Sequence, residues 1–310
     1  MSLPQRPKVV LFDIGGVCVV SPFQAILDYE ISHSIPQGWI NHAISASAPT
    51  GSWQRLERGE IPLDAAFFQG FLSDLTDEAA WTAFHRKQKR RLGGDEAGTM
   101  PPVPRNIDPE WLFWEMMRVS RSPDPSMFPA LERLRKHADA LVSSSSSRLQ
   151  NERDQKQPLL IAALSNTVIF PPHHVSNDAS TPEGKHTAYL KSLFDVFVSS
   201  AHVGLRKPDA EIYTYTIDKL NEYAVERGLF APAEAETGGG GGQRIRAQDI
   251  VFLDDIGSNL RTARAQGMRT VKVTLGRVGD AVRELQGVVG VDLSSSSAGS
   301  DDDAGVRSKL

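Results

Sequence analysis

Short apolar runs alternate with amphipathic segments along most of this chain. The first run, Val9–Phe12, is too short and too rich in β-branched residues for a helix. It is apolar on both faces, as in a strand buried inside a parallel sheet. Similar runs predict four further strands, at residues 159–164, 194–198, 249–253 and 270–273. Because helical segments separate them, the pattern predicts an α/β fold with a doubly wound, Rossmann-like parallel sheet core.

The stretch after the first strand has helical periodicity and predicts no strand. Helices are predicted there at residues 23–33, 35–46, 63–72, 77–90 and 111–119, and later in the chain at residues 127–140, 188–192, 210–227, 259–266 and 278–285. Two prolines in the polar segment 121–126 are typical of a hinge or domain boundary. We therefore predict an all-helical insert at residues 21–121, within a core of residues 1–20 and 122–293, and a disordered Ser/Gly/Asp-rich tail at residues 294–310.

The composition is that of an ordinary soluble globular protein: 310 residues, of which 40% are hydrophobic and 23% charged. A net charge of −4 offers no basic surface for nucleic acid. Neither a membrane span nor the apolar core of a secretory signal is expected, so the protein is expected inside the cell. The single cysteine, Cys18, excludes an internal disulfide, and its place beside the first apolar run predicts a small buried hydrophobe.

Polar side chains follow the predicted strands at the points where these end. Asp13 ends the first run, and Gly15 and Gly16 come directly after it. Glycine permits the tight backbone that a loop needs to close around a small anion at the carboxyl end of a strand. Taken alone, Asp13 is better explained as a strand-end cap before a Gly-Gly turn.

Three later segments change that interpretation. Ser165 and Asn166 follow the second strand, Lys207 follows the third, and the pair Asp254 and Asp255 follows the fourth. In a parallel sheet, ligands bind beyond the carboxyl ends of the strands, so these groups are expected to converge with Asp13.

The converging groups predict a chemistry. Asp13, Asp254 and Asp255 would repel one another without a cation, and an all-oxygen set suits Mg²⁺, with Lys207 completing the charge balance. If Mg²⁺, Lys207 and the Ser165 hydroxyl hold phosphate oxygens, Asp13 can attack phosphorus in line. Water would then hydrolyse the resulting aspartyl-phosphate.

Four stretches of the chain, in this order and spacing, resemble the four motifs of the haloacid dehalogenase-like hydrolase superfamily. They are Phe12-Asp-Ile-Gly-Gly16, Leu164-Ser-Asn-Thr167, Val203-Gly-Leu-Arg-Lys-Pro-Asp209 and Val251-Phe-Leu-Asp-Asp-Ile-Gly-Ser-Asn259. Any one motif is weak, whereas the combination is specific. Within the superfamily the chain most resembles the phosphatase-like N-terminal domain of soluble epoxide hydrolase, over nearly its whole length except the insertions.

The resemblance implies metal-site roles for the matched residues. Asp13 is implied to be both the nucleophile and a metal ligand. Asp255 is implied to be a direct Mg²⁺ ligand, and Gly15 to contribute its backbone carbonyl. Asp254 is implied to support the water shell of the metal, and Asn259 to orient the groups around it.

The resemblance also implies how substrate is held. Ser165 and Asn166 are implied to bind the phosphate, and Lys207 to neutralise the nucleophile and the phosphoryl oxygens. The helical insert is implied to be a cap that closes over the site and selects the leaving group. Its candidates for substrate contact are Trp53, Arg55, Trp111 and Trp114, although aromatic residues in helices more often belong to a core.

Gly15 is a departure from the family pattern. The family's phosphatases usually carry a second aspartate at this position, two residues after the nucleophile, as general acid/base. Glycine retains the backbone carbonyl for the metal but cannot transfer a proton, and loss of such a group typically removes about 10² to 10⁴ in rate.

The leading hypothesis is a Mg²⁺-dependent phosphatase that acts on small phosphomonoesters through an aspartyl-phosphate. One alternative, motivated by Gly15, is a non-catalytic phosphate-ligand binder or regulatory pseudo-phosphatase. A 2-haloacid dehalogenase is the other alternative. It needs no metal, so the extra acids Asp254 and Asp255 would only repel its anionic substrate.

The final tripeptide, Ser308, Lys309 and Leu310, matches the signal that the peroxisomal import receptor reads. We therefore expect a peroxisomal protein, or a cytoplasmic one if the signal is not used.

Overall fold

Five strands form a single parallel sheet: β1 Val9–Phe12, β2 Leu160–Ser165, β3 Val196–Ser199, β4 Ile250–Asp254 and β5 Arg269–Lys272. The computed structural model describes residues 6–91, 100–145, 158–229 and 244–294 of the chain. The strand order is β3-β2-β1-β4-β5, with every pairing parallel. The predicted fold class is therefore confirmed, with strand boundaries displaced by one or two residues at most.

The chain changes direction across the sheet at β1. Strands β2 and β3 lie on one side of it, and β4 and β5 lie on the other. In such sheets the point where the strand order reverses opens a crevice beyond the carboxyl ends of the strands. The register pairs Phe12 with Ala163 of β2 and with Leu253 of β4. The residues that end β1, β2 and β4 therefore emerge side by side.

The helices lie between consecutive strands and after β5. In the described parts of the chain they are α1 Pro22–Ser32, α2 Trp39–Ala46, α3 Ser52–Glu57, α4 Ala65–Leu75, α5 Glu78–Arg91, α6 Pro109–Val119, α7 Met127–Ser145, α8 Pro182–Ser192, α9 Ser200–Val203, α10 Ala210–Glu226, α11 Gly257–Ala265 and α12 Val278–Val289. None of these helices is long and apolar enough to cross a membrane.

Two predicted helices begin several residues away from the predicted position in the structure, and two of the described helices are not predicted, each for an identifiable reason. The helix predicted from residue 35 begins only at Trp39, because Gly38 is left-handed (φ 85°) and interrupts the helical path. Helix α8 begins six residues before the prediction, where the Thr181 side chain caps Gly184 N–H and Pro182 fits the first turn. Helices α3 and α9 are missing from the prediction, since six and four residues carry too little periodicity.

Two apolar layers cover the two faces of the sheet, and a third cluster lies within helices α1–α6. One layer packs Val10 and Phe12 against α7 and α12, and the other packs Val9 and Leu11 against α10 and α11. Helices α1–α6, called the helical insert below, enclose a separate aromatic-rich cluster. The boundaries at residues 20 and 121 stay predictions. The predicted signal at residues 308–310 and most of the predicted tail lie outside the described residues.

Candidate active site

Asp13 stands directly after β1, at the crevice where the strand order reverses. Its backbone N–H donates to the Leu253 carbonyl at 2.9 Å, which continues the ladder towards β4. Its carboxylate Oδ1 accepts the N–H of Ile14 at 2.6 Å. The side chain is buried, with 6% of the residue exposed. The end of the strand thus holds Asp13 in one orientation, with Oδ2 turned towards other groups.

Only one of the two glycines that follow is required by the geometry. Gly16 is left-handed (φ 75°), and a Cβ on it would overlap the Asp255 carboxylate, with Asp255 Cγ only 2.9 Å away. Gly15 does not have a positive φ, and the nearest atom to a Cβ there would be Pro22 Cδ at 3.6 Å. The loop therefore needs glycine at position 16 but has room for a side chain at position 15.

Asp254, the last residue of β4, is fixed by a neighbouring amide. Asn259, in the first turn of α11, donates its side-chain N–H groups to both carboxylate oxygens of Asp254, at 3.2 and 3.0 Å. The backbone N–H of Ile256 donates to Asp254 Oδ1 at 2.7 Å. Tyr213 in turn donates to the Asn259 carbonyl at 3.0 Å. The fully buried Asp254 is therefore held as an acceptor facing Lys207.

Lys207 bridges two of the acids. Its Nζ lies 2.8 Å from Asp13 Oδ2 and 2.7 Å from Asp254 Oδ2, and only 1% of the side chain is exposed. Burial alone would lower the pKa of the ammonium, but Asp13 and Asp254 outweigh burial and raise it. Lys207 is therefore a buried cation with two carboxylate partners.

Three acidic side chains lie near the ammonium of Lys207. Asp13, Asp254 and Asp255 each offer a carboxylate oxygen, and these oxygens lie within 4.8 Å of one another. Burial, reinforced by Asp254 and Asp255, raises the pKa of Asp13. Burial and then Asp254 raise the pKa of Asp255 to about 7. The raised pKa values mean that three ionised carboxylates beside one ammonium are unfavourable without a further cation, and clustered carboxylate oxygens are the ligands of hard divalent cations. The residues present therefore fit a metal ion such as Mg²⁺.

Ser165 and Asn166, at the end of β2, differ in their hydrogen bonds. Ser165 is buried, and within the described parts of the chain its hydroxyl donates only one long hydrogen bond, to the Asn166 carbonyl at 3.4 Å. Asn166 instead clamps Lys207: its Oδ1 accepts the Lys207 N–H at 2.8 Å, and its Nδ2 donates to the Lys207 carbonyl at 3.0 Å. The Ser165 hydroxyl is therefore the freer of the two groups for a ligand. The phosphate-binding role of Asn166 stays a prediction.

The four substrate-contact candidates lie in the insert in different surroundings. Trp53 packs against Phe71 and Phe113, with ring centroids 5.4 and 5.9 Å apart. Trp114 stacks on His174 of the loop after β2, at 5.2 Å. Trp111 is half exposed beside Tyr29, and Arg55 is a half-exposed partner of Glu60. Trp53 and Trp114 are thus packing residues, as is usual for aromatic residues in helices.

Sequence reasoning missed a contact between the insert and the Lys207 segment. Glu57 of α3 accepts from Arg206 through Nη2 at 2.6 Å and Nε at 2.8 Å. The same carboxylate oxygen lies 3.5 Å from Asn166 Nδ2. The only sequence signal for it is an arginine directly before the motif lysine, and nothing in the sequence indicates its partner.

Comparisons with known proteins agree with the motifs. No protein-family model matches the chain. The chain is 26% identical over 286 residues to acyl-CoA dehydrogenase family member 10 of Mus musculus, covering 92% of this chain and 19% of that protein. It is 24% identical over 287 residues to bifunctional epoxide hydrolase 2 of Rattus norvegicus, covering 92% of this chain and 39% of that protein. The chain thus spans less than half the length of either relative.

A solved structure is also similar to the chain. The structure described as a predicted HAD-like family hydrolase from Porphyromonas gingivalis is 16% identical, with a TM-score of 0.40, and the match covers 91% of this chain and 98% of that one. The similarity to bifunctional epoxide hydrolase 2 agrees with the resemblance that the motifs indicate, and the superfamily of the chain stays a prediction.

Proposed function

From its similarity to the haloacid dehalogenase-like hydrolases, we propose that this chain is a Mg²⁺-dependent phosphatase of small phosphomonoesters. The observation that carries the proposal is the cluster of Asp13, Asp254 and Asp255 around the single ammonium of Lys207. An enzyme that attacks carbon in a 2-haloacid has no use for uncompensated negative charge, because its substrate is an anion. A phosphatase that brings in a divalent cation with its substrate balances that charge.

In the proposed reaction Asp13 is the nucleophile. Its two carboxylate oxygens are oriented by the Ile14 N–H and by Lys207 Nζ, so the group is positioned before substrate arrives. An Asp13 oxygen forms a bond to phosphorus while the bond from phosphorus to the ester oxygen breaks, and the leaving group departs as an aryloxide or alkoxide that takes its proton from solvent. Water then attacks phosphorus of the aspartyl-phosphate and gives up a proton to solvent, and the bond from phosphorus to the Asp13 oxygen breaks to release inorganic phosphate and free Asp13.

The remaining groups stabilise charge on the transferred phosphoryl group. Lys207 neutralises the developing negative charge, and the Ser165 hydroxyl donates to a phosphoryl oxygen. Asp13, Asp255 and the Gly15 carbonyl are the proposed metal ligands, and a bound Mg²⁺ would offset the charge of the phosphate. Asp254, held by Asn259, keeps Lys207 in place together with Asp13.

Gly15 favours a second candidate function. Without an acid two residues after the nucleophile, the leaving alcohol receives no proton from that position. A protein that binds a phosphorylated ligand without turnover, as a regulatory pseudo-phosphatase, would have the same cluster of charges.

An activity screen tests the proposal. Wild type, Asp13→Asn and the control Asp28→Asn, an exposed aspartate of α1, are assayed with aryl and alkyl phosphates and with a 2-haloacid, each with Mg²⁺ or with a chelator. We expect Mg²⁺-dependent phosphate release by wild type and by the control only. Halide release without Mg²⁺ would establish the dehalogenase, and phosphate binding without turnover would establish the binder.

A further inference from the structure

The proposed reaction does not explain the contact between the helical insert and the segment before Lys207. Arg206 is the residue immediately before Lys207, and its guanidinium reaches Glu57 of α3 through two nitrogens. Both side chains are largely buried, with 16% of Arg206 and 11% of Glu57 exposed. Burying an ion pair costs the hydration of both charges, so solubility of the protein surface does not explain why this pair is buried.

The Glu57 carboxylate also contacts Asn166, which is hydrogen-bonded to the backbone of Lys207. Asn166 binds the N–H and the carbonyl of Lys207 with its two amide ends. Its Nδ2 lies 3.5 Å from the Glu57 oxygen that Arg206 binds. Glu57 is therefore in contact with the residue before Lys207 and with the residue that holds the Lys207 backbone.

The turn after α3 is docked tightly on the core at this point. Gly59 is left-handed (φ 65°), and a Cβ on it would overlap the carbonyl of Ala201 in α9. Helix α9 ends four residues before Lys207. The backbone contact at Gly59 thus brings Glu57 to a fixed distance from the Lys207 segment.

We propose that Glu57, a residue of the helical insert, positions Lys207 through its contacts with Arg206 and Asn166. This inference rests on the proposed function, because the position of Lys207 matters for phosphoryl transfer. When the insert is docked, its carboxylate fixes the segment that aims the Lys207 ammonium at Asp13 and Asp254. Burial raises the pKa of Glu57, and the ion pair with Arg206 offsets only part of that rise.

Hydrogen exchange at the Lys207 amide, measured on the full chain, tests the inference without requiring activity. The variants are Glu57→Gln and Arg206→Gln, which remove one charge from either side of the ion pair. If the first fails to fold, the second still opens the contact from the core side. The matched control is Glu60→Gln, because Glu60 lies on the same turn but pairs with Arg58 and Arg55 at the surface. The exchange of the β1 amides is followed in parallel.

Positioning predicts a local effect. Exchange of the Lys207 amide should accelerate by about tenfold in both variants, with the β1 amides and the Glu60→Gln control unchanged. In the same variants kcat for an aryl phosphate should fall by about tenfold or more, a size usual for groups that orient a reacting residue. Unchanged exchange at Lys207, or equal acceleration at β1, would overturn the inference. Local acceleration in a protein with no phosphatase turnover would leave Glu57 as the residue that positions Lys207 and remove the proposed function instead.

Discussion

Gly16 lies so close to Asp255 that a single added methyl group would overlap the Asp255 carboxylate. The loop after β1 is therefore shaped around a residue that follows β4, and the two motifs meet only because position 16 has no side chain. This contact links the nucleophile loop to the residue proposed to bind the metal.

Gly16→Ala should consequently weaken Mg²⁺ binding. The alanine would strain a left-handed backbone and push Asp255 away from Asp13. Loss of a group that orients a metal ligand typically lowers metal affinity by about tenfold or more, and we expect a loss of that size when the ligand itself is displaced. Gly276→Ala is the matched control, since Gly276 is also left-handed (φ 77°) but, its chain neighbours aside, no atom of the described residues lies within 4 Å of its Cβ position. Mg²⁺ titration of both variants checks the prediction, and equal Mg²⁺ affinity in the two would contradict it.

Gly15→Asp should raise the turnover of alkyl phosphates. Position 15 has room for a Cβ and no positive φ, so an aspartate there can supply the proton that an alkoxide leaving group needs. Wild type should prefer aryl and acyl phosphates, whose leaving groups need no proton. Comparison of the chemical-step rates for aryl and alkyl phosphates checks this, and similar rates in wild type would mean that another residue already donates the proton.

Mg²⁺ should reverse the effect of pH on stability. The pKa of Asp255 rises from 3.8 to about 7 on folding, so the folded state favours the protonated form. In the metal-free protein this group therefore lowers stability as pH rises from about 4 to 7, because the unfolded chain ionises first. With Mg²⁺ the ionised form is the ligand, so stabilisation by the metal should grow over the same range.

Thermal unfolding across that pH range, with and without Mg²⁺, measures the reversal. Asp255→Asn should stabilise the metal-free protein at pH 7 and lose the response to Mg²⁺. Asp280→Asn, at a surface aspartate paired with Arg277, should retain the wild-type response. A full Mg²⁺ response in Asp255→Asn would remove Asp255 from the metal site.

Glu30→Ala should destabilise the helical insert. Glu30 is buried and accepts the N–H groups of Gly38 and Ile40 at 2.7 and 2.8 Å, at the start of α2, where Gly38 has no side chain to cap the helix. Leaving two such donors unpaired costs about 1 to 3 kcal/mol each. Denaturant unfolding of Glu30→Ala beside Asp28→Ala, an exposed acid of the same helix, checks the effect, and equal stability of the two variants would refute it.

The sequence predicts the sheet and the converging strand ends because both depend on local patterns. Val9–Phe12 is apolar on both faces, and Asp13, Ser165 and Asp254 stand at the ends of runs, so a parallel sheet brings them together without further information. Glu57 could not be predicted, because its partner Arg206 lies 149 residues away and only the docking of the insert joins them. The requirement for glycine at position 16 and not at 15 likewise depends on Asp255, a residue from another strand.

Trapping of the covalent intermediate tests whether Asp13 is the nucleophile. Wild type and Asp13→Asn are mixed with an aryl phosphate and Mg²⁺, quenched in acid, digested and examined by mass spectrometry. Without an acid at position 15, water attack on the aspartyl-phosphate is slowed, so the intermediate should accumulate with a burst of the aryl alcohol. One phosphoryl group is expected on the peptide that contains Asp13, and none in the variant. Phosphate release by wild type with no phosphoryl group on Asp13 would contradict it.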